Sequence, residues 1–288
     1  MPLASTIVTI VGMGLMGGSL GMALVKAAAC KEVRALVRRE EAVEEVLASG
    51  AAHIAGADAR RLLEDADLLV LATPVRTIET QVSELHRFLE SGATITDMGS
   101  VKAGIVKAMD NLPLHTRALG GHPMCGKETS GLAAADPALF QDRIWVLTPS
   151  KRTDPVALSL VEAMIEAVGA RRMVMDAEKH DAAVSCVSHL PYVLAAALME
   201  VAKDAATDLP EIWELAADGF RDTSRVAASD LTMMIDILAA NRKNVLSMLH
   251  RASEGIDRIV GLMTEKNDEE LRNVLSGVRD RRARMFQS

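Results

Sequence analysis

Residues 12–17 read Gly-Met-Gly-Leu-Met-Gly, a G-x-G-x-x-G spacing between the β-branched run Ile7–Val11 and the Ala/Leu/Met-rich stretch Leu15–Ala29. Between a strand and a helix, this spacing suits a pyrophosphate. Gly12 permits the tight turn, Gly14 lets phosphate approach the backbone, and Gly17 lets helix and strand pack closely. The first helical turn, with Leu15 and Met16, offers N–H donors and the positive end of the helix dipole. A Gly-rich turn without function is the alternative. The next predicted strand ends Val37-Arg38-Arg39, where an Asp or Glu would accept hydrogen bonds from the adenosine 2′-hydroxyl of NAD. Two guanidiniums suit a 2′-phosphate instead, which favours NADP, with NAD as the alternative if the arginines are solvated charges offset by Glu40 and Glu41.

Three further segments follow predicted strands and are expected to converge on one crevice: Thr73-Pro74, Asp97-Met98-Gly99-Ser100 and Gly120-Gly121-His122-Pro123. The glycines and the proline suggest an irregular loop around His122. An imidazole there can take a hydroxyl proton while hydride leaves the same carbon, so His122 is the candidate base. Ser100 precedes a predicted helix, where a serine serves equally as an N-cap. His189, in an apolar helical run before Pro191, reads as a hydrogen-bonded buried histidine. Asp222 and Arg225, three residues apart, read as a helical ion pair. Nothing local selects Glu128, Cys125 or Lys127. The cysteines, Cys30, Cys125 and Cys186, form neither a CxxC pair nor a disulfide framework, which fits a reducing cytoplasm, and no metal site is expected.

The elements that must position these residues alternate. Strands are predicted at Ile7–Val11, Val33–Val37, Leu68–Ala72, Ala93–Asp97, Arg117–Gly120, Ile144–Thr148 and Arg172–Met175, with helices between most of them. That order implies right-handed crossovers and an α/β, doubly wound, mainly parallel Rossmann-type sheet. After Asp176 the strand signal disappears. The expected division is therefore a dinucleotide-binding domain over 1–175 and an all-helical substrate and dimerisation domain over 176–288. Apolar residues from Leu231 to Met263 recur at three- and four-residue steps, predicting one continuous helix of roughly 50 Å whose stripe is finished by a second copy. A homodimer through the helical domain is expected.

The whole chain of 288 residues is 49% apolar and 25% charged, which excludes disordered and low-complexity classes. Its formal net charge of −7 leaves no basic footprint, so no nucleic-acid partner is expected. The uncharged stretch from Thr6 to Val25 is long enough to span a bilayer, but its glycines and β-branched start read as strand, turn and helix, and no membrane association is expected.

Three stretches together carry a resemblance: Gly-His-Pro-Met-Cys-Gly-Lys-Glu-Thr-Ser-Gly at 121–131, Ser-His-Leu-Pro at 188–191 and Gly-Phe-Arg-Asp-Thr-Ser-Arg at 219–225. With the Gly-rich opening and Asp97–Lys102, the chain resembles the prephenate/arogenate dehydrogenases over nearly its whole length. The resemblance implies oxidative decarboxylation of prephenate or arogenate, in tyrosine biosynthesis, with hydride transfer to a nicotinamide. It implies that His122 draws off the ring-hydroxyl proton and that Ser100 helps hold that hydroxyl and the nicotinamide. Arg225 would bind the ring carboxylate, Ser185 and His189 would make further substrate contacts, and Glu128 with Asp222 would gate the entrance. Two alternatives stand beside this reading. One is another two-domain dehydrogenase acting on a β-hydroxyacid or an imine, which would be expected to carry a catalytic Lys in its helical half. The other is a dinucleotide-binding sensor without turnover, which has no need of His122 and Arg225.

Overall fold

A computed structural model of the chain describes residues 2–285. The sheet half runs β1 (Ile7–Val11), α1 (Leu15–Lys26), β2 (Glu32–Leu36), α2 (Ala42–Ala48), β3 (Ile54–Gly56), α3 (Ala59–Leu63), β4 (Leu68–Leu71), α4 (Val75–Leu85), β5 (Thr94–Asp97), α5 (Ala103–Asp110), β6 (Arg117–Pro123), β7 (Ile144–Pro149), α6 (Pro155–Ala167) and β8 (Arg171–Val174). Only helical elements follow: α7 (Ala177–Val184), a π-helical turn (Ser185–His189), α8 (Leu190–Ala205), α9 (Asp218–Ser224), α10 (Leu231–Ala240), α11 (Arg242–Thr264) and α12 (Asp268–Met285), with short 3-10 turns between some of them.

The eight strands form one sheet in the order β3-β2-β1-β4-β5-β6-β7-β8, parallel throughout except for the antiparallel β6–β7 pair. All five residues of β1 are buried, as expected of a strand covered on both faces. One face packs Leu20 and Leu24 of α1 with Trp145, Leu160 and Met164; the other packs Ile78 and Val82 of α4 with Ile105 and Met109 of α5. Met234 and Ile237 of α10 join the second cluster, so helices beyond β8 complete the cover.

Three expectations about elements need correction. β3 was not foreseen, because three residues are too few to show an alternating pattern. His122 lies in a regular strand and not in a loop: it faces Val146 in the antiparallel ladder. The continuous helix expected from Leu231 to Met263 is two helices, broken at Asn241, whose backbone leaves the helical region (φ −107°, ψ 24°) and whose side chain is buried and bonded elsewhere.

By packing, the chain forms two compact units, Met1–Arg242 and Lys243–Ser288. Every residue of the candidate site lies in the first. Within it, the continuous helical segment Ala177–Ala205 is, by length and composition, apolar enough to cross a membrane (29 residues, mean hydropathy 1.6). Its inner side nevertheless carries buried His180, Asp181 and His189.

Helix packing here depends on close approach. A Cβ on Gly21 of α1 would lie 2.1 Å from the Ala51 carbonyl oxygen, whereas one on Gly277 of α12 would meet nothing within 4 Å. Gly21→Ala is therefore expected to cost about 1–3 kcal/mol through overpacking. Gly277→Ala is expected to gain up to about 1 kcal/mol from helix propensity. Thermal denaturation should show midpoints moving in opposite directions; movement in the same direction would refute the steric argument.

Candidate active site

The Gly-rich turn leaves β1 at Gly12, whose φ of +94° belongs to glycine. A Cβ there would also press on Thr73 Cγ2 at 2.7 Å, so the Thr73-Pro74 segment lies against the turn. On Gly17 it would meet the Gly12 carbonyl oxygen at 2.0 Å, while on Gly14 it would meet nothing within 4 Å. Gly14 is the N-cap of α1 and makes no side-chain capping bond, and the first turn holds no acidic residue. The open space at Gly14 and the first-turn N–H groups of α1, which have no intrahelical acceptor, fit a pyrophosphate. Beyond β2, Arg38 and Arg39 are exposed, and neither forms an ion pair among the described residues. Glu40 is turned to the Ala57 N–H at 3.3 Å.

His122 sits where β6 outruns its neighbour. β5 pairs only with Arg117–Leu119, so residues 120–123 are laddered to β7 alone. On the open flank the fully buried carboxylate of Asp97 replaces a strand. It accepts the Gly121 N–H at 3.0 Å and the Gly99 N–H at 2.8 Å, and it contacts the buried Lys102 ammonium. One carboxylate thus ties the segment carrying Ser100 to the segment carrying His122. Helix α5 starts at Ala103 with Lys102 at the N-cap position, so Ser100 does not cap it.

The cap comes from α7. Asp181 Oδ1 accepts the Lys102 N–H at 2.7 Å and Asp181 Oδ2 the Ala103 N–H at 2.8 Å. Asp181 Oδ1 also lies 2.7 Å from His180 Nδ1, and His180 Nε2 lies 2.8 Å from His122 Nδ1. The Asn241 amide Nδ2 donates to the Asp181 carbonyl at 2.7 Å and reaches His189 Nδ1 at 3.2 Å. His189 is therefore the hydrogen-bonded buried histidine expected, and its Nε2 carries the proton. Ser185, buried, donates to the Ala182 carbonyl at 2.7 Å. The π-helical turn spans Ser185 to His189, a widened turn of a kind frequent at functional sites.

Burial opposes charge on His122 and His189. Burial, followed by His180, Lys102 and His189, holds His122 well below the usual histidine range. Burial likewise draws His189 down to about 4, against the opposing pull of Asp181. Burial also lowers Lys102, opposed by Asp97 and Asp181. Burial pushes the Cys125 thiol up to about 11, against the opposing pull of Arg143.

Arg225 and Asp222 do not pair as expected. Arg225 forms an ion pair with Glu128, in the loop after β6, and Asp222 pairs with Arg221 at 3.6 Å. The guanidinium and the Glu128 carboxylate are both largely exposed. Asp97 ties the segment bearing Ser100 to that bearing His122, Asp181 joins the start of α5 to His180 and, through Asn241, to His189, and Arg225 is joined to the loop six residues beyond His122. An imidazole that accepts, an imidazole that donates and an exposed guanidinium can together bind an anionic hydroxy compound and take its hydroxyl proton.

Sequence reasoning placed Asp97 and Lys102 only within converging or resembling stretches, without a role, and did not single out His180, Asp181 or Asn241. A signal existed for some of them. Ala177, His180, Asp181, Val184 and Ser185 follow the spacing of a buried helical stripe, with polar residues in apolar places.

Two family models match the chain: the prephenate dehydrogenase nucleotide-binding domain over residues 20–174 and the prephenate dehydrogenase dimerization domain over 176–277. Prephenate dehydrogenase of Bacillus subtilis (strain 168) is 31% identical over 277 residues, 96% of this chain and 75% of that protein. The crystal structure of prephenate dehydrogenase from A. aeolicus, in complex with hydroxyphenyl propionate and NAD+, superposes with a TM-score of 0.88 at 30% identity, covering 97% of this chain and 98% of that one. Synechocystis arogenate dehydrogenase superposes with a TM-score of 0.83 at 28% identity, covering 97% and 100%.

The depressed histidines have a stability consequence. An unfolded histidine takes a proton near pH 6.5, whereas folded His189 resists until about 4. Below about 6.5 the unfolded chain thus binds more protons, and stability present above that pH is lost as pH falls towards 4. The thermal midpoint of wild-type protein is expected to fall across this window, and that of His189→Asn to fall less; parallel profiles would contradict the burial argument.

Proposed function

The chain belongs to the prephenate dehydrogenase family, and from that membership we propose that it is an NAD(P)-dependent dehydrogenase that oxidatively decarboxylates prephenate, arogenate or both, in tyrosine biosynthesis. The observation that carries the reading is the buried His122, whose strand segment the Asp97 carboxylate ties to the segment bearing Ser100. Family membership sets aside the hydroxyacid, imine and sensor alternatives.

NAD(P)+, when bound, supplies the hydride acceptor, and the Gly12–Gly17 turn with Thr73 and Pro74 would hold it. The chain's own residues manage the proton and the charges. His122 accepts the ring-hydroxyl proton as the carbinol carbon becomes a carbonyl carbon, and Ser100 orients that hydroxyl. The electrons of the carbon–carboxylate bond then enter the ring, which becomes aromatic as carbon dioxide leaves, and the resulting phenolate oxygen takes its proton back from His122. His189 offers an N–H donor from the helical side, and Ser185 lies one turn before it.

Arg225 holds the departing carboxylate. Its pairing with Glu128 is an exposed contact of the kind worth about 0–1 kcal/mol, so a substrate carboxylate displaces it at little cost. Glu128, Arg225 and Asp222 would thus line the entrance. Because the carboxylate leaves as neutral carbon dioxide, a contact made equally before and during reaction aids binding more than turnover.

NADP is the favoured cofactor, on the two exposed arginines beyond β2 and the engagement of Glu40 with Ala57. The functional division is kept at 175/176. A homodimer would form through the helical part, where Val187, Leu194 and Val201, at seven-residue steps, are exposed along Ala177–Ala205. A cytoplasmic location fits the free thiols Cys30, Cys125 and Cys186.

The assay is prephenate and arogenate, each with NAD+ and with NADP+, followed by reduced-cofactor absorbance; turnover in none of the four would refute the function. With the better substrate, His122→Ala is expected to lower kcat roughly 10²–10⁴-fold. Arg225→Ala is expected mainly to raise KM, by about 10–100-fold. The reverse division would overturn both roles. Replacing Arg38 and Arg39 by Ala is expected to lower kcat/KM for NADP+ about tenfold or more and leave NAD+ nearly unchanged. A wild-type enzyme that prefers NAD+ would refute the cofactor preference.

A further inference from the structure

We propose that His180 and Asp181 are positioning residues that fix the tautomer of His122, confining its proton-accepting lone pair to Nε2. The inference rests on the reading of His122 as the base.

The argument begins at the carboxylate, which has only acceptor positions. Asp181 takes two backbone N–H groups at the start of α5, and its Oδ1 also faces His180 Nδ1 at 2.7 Å. His180 Nδ1 must therefore carry a proton, since a bare nitrogen there would set lone pair against lone pair. In the tautomer that this contact dictates, His180 Nε2 is bare and can only accept. The group it faces at 2.8 Å is His122 Nδ1, which must then be the protonated nitrogen of that ring. The remaining nitrogen, His122 Nε2, is left bare.

Had His122 carried its proton on Nε2, two bare nitrogens would meet at hydrogen-bond distance in a site where neither can turn to water. His180 is 0% exposed and His122 is 9% exposed. The ring centroids lie 5.0 Å apart with their planes 74° apart, a separation that suits a direct N–H···N contact between the two rings. The same chain serves the transition state. As His122 gains a proton at Nε2, its Nδ1–H remains on His180, which the Asp181 carboxylate backs. The new positive charge is thereby met without solvent and against the opposing field of Lys102. Asp97 and His189 complete the charged and titratable surroundings of the pair.

The first test is spectroscopic and uses the full-length ligand-free enzyme with nitrogen-15 histidine. Two-bond proton–nitrogen correlations distinguish bare from protonated ring nitrogens, and His122→Ala identifies the His122 signals by their loss. The expected wild-type pattern is Nδ1 protonated and Nε2 bare on both His122 and His180. A His122 protonated on Nε2, or a doubly protonated His180, overturns the proposal.

The second test is kinetic. His180→Leu removes the acceptor, shifts His122 towards the Nε2-protonated form, and is expected to lower kcat roughly tenfold to a hundredfold with KM within about threefold of wild type. His180→Gln keeps an amide oxygen for the His122 N–H and is expected to stay within about tenfold of wild-type kcat. A folded His180→Leu enzyme with wild-type kcat overturns the proposal; if that variant does not fold, the wild-type spectrum decides. A His122→Ala enzyme with undiminished kcat would remove the base assignment while the spectrum still judged the tautomer, so the two failures are distinguishable.

Discussion

The carboxylate of Asp181 is the contact on which the site depends. It is 2% exposed and receives two backbone N–H groups of α5 and the Nδ1 of its own neighbour. A helix start normally uses a side chain from its own N-cap residue. Here the capping oxygens come from a helix 78 residues further along the chain, so the start of α5 and the helical wall have one shared position. The Asp181 main-chain carbonyl extends the arrangement to Asn241, and Asn241 extends it to His189. The donors and acceptors along this series alternate from Asp181 to Asn241 to His189, as a buried network needs in order to be rigid.

A second carboxylate does for the sheet what Asp181 does for the helices. Asp97 and Lys102 are fully buried, and burying an ion pair costs several kcal/mol of desolvation per ion before any attraction is counted. Stability alone is a poor reason to keep such a pair. Its value lies in geometry: Asp97 also holds the Gly99 and Gly121 N–H groups, which set the backbone beside Ser100 and His122. Gly121 has to be glycine for this, because a Cβ there would come within 2.6 Å of the Asp97 carbonyl oxygen. The field of Lys102 then helps keep His122 unprotonated, so the pair shapes both the position and the basicity of the imidazole.

What was legible in the sequence was local. The turn at Gly12–Gly17 is a contiguous pattern set by one close approach, and the alternation of strand and helix shows itself through periods of two and 3.6 residues. His122 stood out from its place after a strand, although the same glycines that suggested a loop turned out to serve close packing inside a strand. The bonds of Asp97 and Asp181 span 24 and 79 residues and depend on how the layers dock. No spacing rule carries that information. Asn241 shows the limit from the other side: a single polar residue in an apolar repeat was read through as helix, when its buried amide had been recruited across 60 residues to Asp181.

The overhang of β6 has a consequence for divergence among relatives. A side chain on a ladder can be moved only by re-registering the strand, and a shift of one residue would turn His122 to the other face of the sheet. The antiparallel partner β7 and the flanking Asp97 lock that register on both sides. Substitutions in β6, β7 or at Asp97 are therefore felt at His122, whereas the helical elements beyond β8 carry no such ladder constraint. The helical segments can thus change among relatives while the setting of the imidazole is kept.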